Sequence, residues 1–284
     1  MLLIGTSDGL HDLDSGTELI GGRAVTALAV GGDSWCALFD RRFIVGAHEG
    51  ELAEADGQSV AVLPDGTVVV GRTGARLAIV AANGEVHDVS AFEAVPGRDD
   101  WENPANPTPD TRTMAVGPKR WWVNVHVGGV WWSDDAGDTW HNAVEPDADV
   151  HEVRASDDGQ VAVAAAVGFG CSEDGESWSW TTAGLHASYL RAVALDGDTT
   201  FVSASDGPFT RNGAVYRSRS GGFARCEAGL PDRFEGNVDS GALDAAGGRV
   251  ALGFEDRVYL SEDRGETWSE AVALSAPITA VRFV

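Results

Sequence analysis

An eight-residue segment occurs twice in this chain, as Ser133-Asp134-Asp135-Ala136-Gly137-Asp138-Thr139-Trp140 and as Ser261-Glu262-Asp263-Arg264-Gly265-Glu266-Thr267-Trp268. A copy one residue shorter runs Ser172-Glu173-Asp174-Gly175-Glu176-Ser177-Trp178. A chain that repeats one turn in this way is built from repeated units, each too small to bury its own apolar face. The pattern Ser-x-Asp-x-Gly-x-Thr-Trp has the chemistry of a hairpin corner. Ser and Asp side chains bond nearby backbone amides, Gly supplies positive φ, and Trp packs under the turn. Both full copies follow strand-like runs, Gly129-Val130-Trp131-Trp132 and Arg257-Val258-Tyr259-Leu260.

These residues resemble the Asp-box, or BNR, repeat found in sialidases, sortilin-type receptors and photosystem assembly factors. The resemblance implies a turn at the outer edge of a propeller blade. It covers the corners alone and implies no activity, because enzymes and binding proteins use such corners alike. Sialidases of this kind use an arginine triad, a Tyr-Glu pair and an acidic Asp. Arg112, Arg154 and Arg191 lie near first-strand starts, but the family's residues do not match by motif, and seven blades depart from their six. Asp135, Asp174 and Asp263 each sit inside their own hairpin turn, where bonds to local amides make them structural rather than catalytic.

Each blade of a propeller is a four-stranded antiparallel sheet, so each repeat must show four β-like runs punctuated by turns. Reading outward from the corners gives units at 111–146, 150–185, 187–230 and 239–275, and the same rhythm without the box gives 25–57 and 59–95. What remains is 2–22, with three strands, and an orphan strand at 278–284. The two remnants complete each other. The sequence therefore predicts an all-β, seven-bladed β-propeller occupying 1–284 as a single domain, closed where the C-terminal strand joins three N-terminal strands; closure removes exposed sheet edges. Long amphipathic helices are absent from the pattern.

Composition narrows the partners. Formal net charge is -24 and Lys119 is the only lysine, which argues against nucleic acid, since phosphate binding needs a cationic patch. An acidic, lysine-poor surface suits a salt-loaded cytoplasm, where molar salt shortens the Debye length to roughly 3 Å and screens self-repulsion. Cys36, Cys171 and Cys226 form no C-x-x-C pair and read as reduced thiols of a cytoplasmic protein. The N-terminus runs straight into a strand, and no apolar stretch approaches membrane-spanning length, so neither export nor a membrane partner is expected.

A site is expected around the axis, on the face where the inner strands begin. Aligning the first strands by their closing turns places Asp110, His151, Tyr189 and Asp239 at equivalent positions, with His126 and His186 projecting to the same face and His48 at a matching second-strand end. The connection from Gly97 to Arg112, stiffened by three prolines, is expected to fold over this face and carry Trp101, Glu102 and Arg112 toward the histidines. A shorter loop, Ser205 to Asn212, extends the sixth blade on the same side. His151, His186, Tyr189, Asp239, Arg112 and Glu102 are the catalytic candidates. His126, His151 and His186 are candidate ligands for a divalent metal, the one cofactor considered. Three readings remain open: a small-molecule pocket, with or without metal-assisted hydrolase-like or lyase-like chemistry; a non-catalytic protein-binding or assembly scaffold; and polar strand ends that merely line a water-filled channel.

Overall fold

The computed structural model describes residues 1–46, 48–81, 83–101, 108–219 and 222–284. Seven four-stranded antiparallel sheets surround a central axis. Blade 1 is made of Ile278–Phe283, Leu2–Thr6, Gly9–Asp12 and Thr17–Gly21, from inside to outside. The inner strands of blades 2 to 7 are Ala27–Gly31, Gly57–Val62, Thr111–Val116, Val150–Ala155, Tyr189–Asp196 and Leu243–Ala246. Each inner strand contacts the next, and the strand from the C-terminus meets both blade 7 and blade 2. The ring closes as expected, with Leu2, Leu3, Ile4 and Gly5 paired to Phe283, Arg282, Val281 and Ala280. Gly57 opens the third blade rather than ending the second, and His48 lies on the exposed outermost strand of blade 2 instead of at a second-strand end. Helical structure among the described residues is limited to three short 3-10 turns.

The corners form as their residue types dictate. Ser133 Oγ donates to Asp135 Oδ1 (2.8 Å) and accepts from Gly137 N–H, while Asp135 takes the N–H and hydroxyl of Thr139. Ser261, Asp263, Gly265 and Thr267 repeat every one of these bonds. The donors hold Asp135 and Asp263 well down, each to a pKa of about 2, so both carboxylates are structural acceptors and not acids. Gly265 has φ +74°, and a Cβ there would stand 2.6 Å from the Phe201 ring; only glycine fits both the backbone and the space. The corner indoles pack beneath the turn, with Trp140 Nε1 donating to Gly137 O and Trp268 Nε1 to Gly265 O.

Trp140 and Trp268 are 8% and 6% exposed and sit in different inter-blade cores, one with Phe92, Trp121 and Trp131, the other with Phe234, Tyr259 and Val215. Truncating either to Ala removes a large buried ring and leaves a cavity, a change that costs about 3–5 kcal/mol. Chemical denaturation of Trp140→Ala and Trp268→Ala is expected to show losses of that size. A loss below about 1 kcal/mol, typical of surface substitutions, would contradict the packing role.

Candidate functional site

Strand register decides which side chains reach the axis. In blade 4 the ladder runs Thr111↔Val125 and then Thr113↔Asn124, leaving Arg112 in a one-residue bulge. Blade 5 does the same at His151, and blade 3 at Gln58. Blade 6 skips one residue between Leu190 and Val193, a bulge that includes Arg191, and the closing strand does so at Thr279. A bulge re-aims a side chain that regular pleating would send elsewhere. Equivalent positions in blades 4, 5 and 6 are therefore Arg112, His151 and Arg191, rather than Asp110, His151, Tyr189 and Asp239; the extra residue moves the alignment.

Toward the face where the inner strands end, the axis opens into a cavity of about 510 Å³ whose lining includes Leu28, Val60, Met114, Arg154, Asp244 and Arg282; nearer the entry face it narrows. A cavity of about 70 Å³ is lined by Gln58, Arg112, Glu152, Arg154, Ser240 and Arg282 among others, space for a few waters but far below the 300–1,000 Å³ of ligand pockets. Glu152, 1% exposed, takes Arg154 Nε at 3.0 Å, Val193 N–H at 3.0 Å and Gly241 N–H at 3.2 Å. One carboxylate thereby links blade 5 to blade 6 and to the chain entering blade 7. Ser240 Oγ lies 3.0 Å from His151 O and 2.9 Å from Arg191 O, sharing its proton between two blades. Arg282 is desolvated beside Arg154, which brings its pKa down to about 10.

Above this constriction lies the axial mouth. His151 Nδ1 donates to Leu190 O at 2.5 Å, since a carbonyl only accepts, and Nε2 faces Asp149 Oδ2 at 3.5 Å. Asp149 holds a left-handed backbone at φ +47° and also stands 4.0 Å from His126 Nε2. Bonding from His151 keeps the Asp149 carboxyl below its ordinary value. Burial, followed by the charge of Arg112, lowers His126 to about 4, so it is uncharged at neutral pH. Tyr189 lies over His151, with ring centroids 4.6 Å apart. Arg191 Nε approaches Asp239 Oδ1 at 3.0 Å without the alignment of a hydrogen bond, so the contact is an ion pair only. Arg112 differs from its neighbours. Burial and then Arg191 depress its pKa, and among the described residues no carboxylate stands within 4.0 Å of its guanidinium.

The expected candidates thus divide. His126, His151, Tyr189, Asp239 and Arg112 gather at the mouth. His186 does not: its Nδ1 accepts from Tyr216 OH at 2.8 Å and its Nε2 donates to Asn212 O at 2.9 Å. The connection into blade 6 crosses from outer to inner strand, and His186 is caught midway, stacked on a third-strand tyrosine. The proposed metal set of His126, His151 and His186 is therefore not assembled, and no group of three metal-ligating side chains occurs among the described residues. Trp101 is buried against Phe92 and Trp131 instead of facing a ligand. Glu102 lies outside the described residues. Asp149, Glu152 and Ser240 carry no motif; the αL aspartate between two imidazoles is visible only once the strands are paired. No helix of the described residues is long and apolar enough to cross a membrane.

This geometry defines a seven-bladed propeller whose axis narrows at Glu152 and whose mouth carries Arg112 and Arg191 beside Asp149 and Asp239. No family model matches the chain, and no curated protein matches it. Solved propellers do. YCF48 bound to D1 peptide is 14% identical with a TM-score of 0.61, over 96% of this chain and 85% of that one. Virginiamycin B lyase from Staphylococcus aureus is 11% identical with a TM-score of 0.65, over 97% and 89%. PorZ, a surface component of the type-IX secretion system of Porphyromonas gingivalis, is 13% identical with a TM-score of 0.61, over 88% of this chain but only 33% of PorZ. At such identities the likeness is one of fold.

Proposed function

We propose that the chain is a non-catalytic binding propeller whose axial mouth receives a carboxylate of a polypeptide partner. The observation that carries this reading is Arg112: a half-buried guanidinium with no carboxylate within 4.0 Å among the described residues, next to Arg191 and an uncharged His126 and facing the more distant charges of Asp149 and Asp239. A desolvated guanidinium gains most from a planar, bidentate anion. Tyr189 and the imidazole of His126 supply a flat, partly apolar border for the atoms beside that carboxylate. Catalysis finds less support. The ring nitrogens of His186 are both committed to local partners, His151 is 1% exposed and bonded through Nδ1, and the larger axial cavity, about 510 Å³, is lined by none of His126, His151, His186 and Tyr189. The precedent of a propeller solved with a bound peptide, YCF48 with D1, accords with a polypeptide partner.

The test is titration with short peptides ending in a free carboxylate and with their amidated counterparts, followed by NMR signals of His126 and Tyr189. The free acids are expected to bind, and Arg112→Gln to weaken them by about ten- to a hundredfold, the worth of a hydrogen bond to a charged group. Equal binding of acids and amides, or an unaffected Arg112→Gln variant, would exclude the reading.

A further inference from the structure

The one-residue-shorter corner has a consequence at the outer edge of blades 4 and 5. In the two full corners the indole N–H donates to the corner glycine. Trp178 Nε1 is buried yet has no acceptor among the described residues, and its ring stands between Trp122 (6.5 Å, edge-on) and Trp180 (6.3 Å, inclined by 32°). Trp180 is paired across the ladder with Gly170, where a Cβ would come within 2.9 Å of the indole. The missing side chain lets the ring lie down on the sheet while 41% of the residue stays exposed. Both indoles line a groove of about 360 Å³, together with Val144, Val167, Glu145 and Asp147. Val167 is itself 51% exposed. Among the described residues neither Glu145 nor Asp147 has a basic partner within 4.0 Å.

We infer that this groove is a binding site for a small organic cation with a methylated ammonium head. Three features select that chemistry. Indole faces attract cations through the ring quadrupole. The two unpaired carboxylates supply the matching charge at the rim. The remaining wall is aliphatic, which suits methyl groups. The volume falls at the small end of the range for ligand pockets. Its lining shares no residue with the axial mouth and its charge preference is opposite.

The probe is choline, compared with 3,3-dimethylbutan-1-ol, its uncharged isostere with carbon in place of nitrogen. With the whole protein, choline is expected to shift the indole NMR signals of Trp178 and Trp180 saturably in the millimolar range, and the isostere to bind about tenfold more weakly or not at all. Trp180→Ala, and separately Glu145→Gln with Asp147→Asn, is expected to weaken choline by a similar factor; Trp180→Phe should retain most of the affinity, and Arg112→Gln all of it. Equal responses to choline and its isostere, saturation by an uncharged methyl glucoside instead, or no saturation by choline in that range would each overturn the assignment.

Discussion

A chain ending at Ser275 is expected to lose cooperative folding and to aggregate. The deletion removes the innermost strand of blade 1, to which Leu2, Leu3, Ile4 and Gly5 are paired. Leu2, Leu3 and Ile4 are fully buried, and exposing a side chain of this kind costs roughly 1.5–3 kcal/mol. Uncovering even part of that surface approaches the whole stability of an ordinary domain, about 5–15 kcal/mol. The same strand ties blade 7 through Val281 N–H to Gly241 O and Phe283 N–H to the Asp244 carboxylate, both at 2.9 Å. Without it the Leu2–Thr6 strand presents an unpaired apolar edge, the kind that recruits other chains. Denaturant unfolding and light scattering of the truncated protein measure the effect, and adding a peptide of residues 276–284 should restore part of the transition. A truncated chain with a native-like, cooperative transition would show that the ring does not depend on its closing strand.

The largest single-residue effect at the axis is expected at Glu152. Replacing it with Ala strands three donors at once, the Val193 and Gly241 amides and the Arg154 guanidinium, around a carboxylate that is 1% exposed. Breaking a buried ion pair from one side costs about 3–5 kcal/mol, because the remaining charge loses its compensation. Arg154→Ala should cost less, since Glu152 keeps both amide donors. Denaturation midpoints of the two variants test the order. If Arg154→Ala proves the more damaging, the carboxylate is not the clasp between blades.

Much of the architecture was legible in the residues. The corners are local devices: Ser133, Asp135, Gly137 and Thr139 satisfy one another within a few residues, so a short window of sequence contains the whole cause of the turn. The blade count followed from period, and the closing strand from an unpaired remainder at each end. The candidate site was legible only in part. Histidines, Tyr189 and Arg112 were recognisable as unusual polar residues near inner-strand starts, but their arrangement was not. His126 and His151 converge through Asp149, whereas His186, of the same residue type but in the connection before its inner strand, is captured by Tyr216.

The reason lies in the distance along the chain over which each cause operates. Periodicity, turn chemistry and complementary ends are written within one repeat, and the sequence alone determines a ring of seven antiparallel blades. Which side chains face the axis depends on single-residue bulges at Gln58, Arg112, His151 and Thr279, and on the bulge that includes Arg191. A bulge shifts every later side chain by one position without altering the pattern of apolar residues that reveals the strand. The contacts that narrow the channel join residues 41 and 89 positions apart, as Glu152 does with Val193 and Gly241. Only the tertiary structure decides those, because the partners are chosen by how blades pack and not by anything either segment carries by itself.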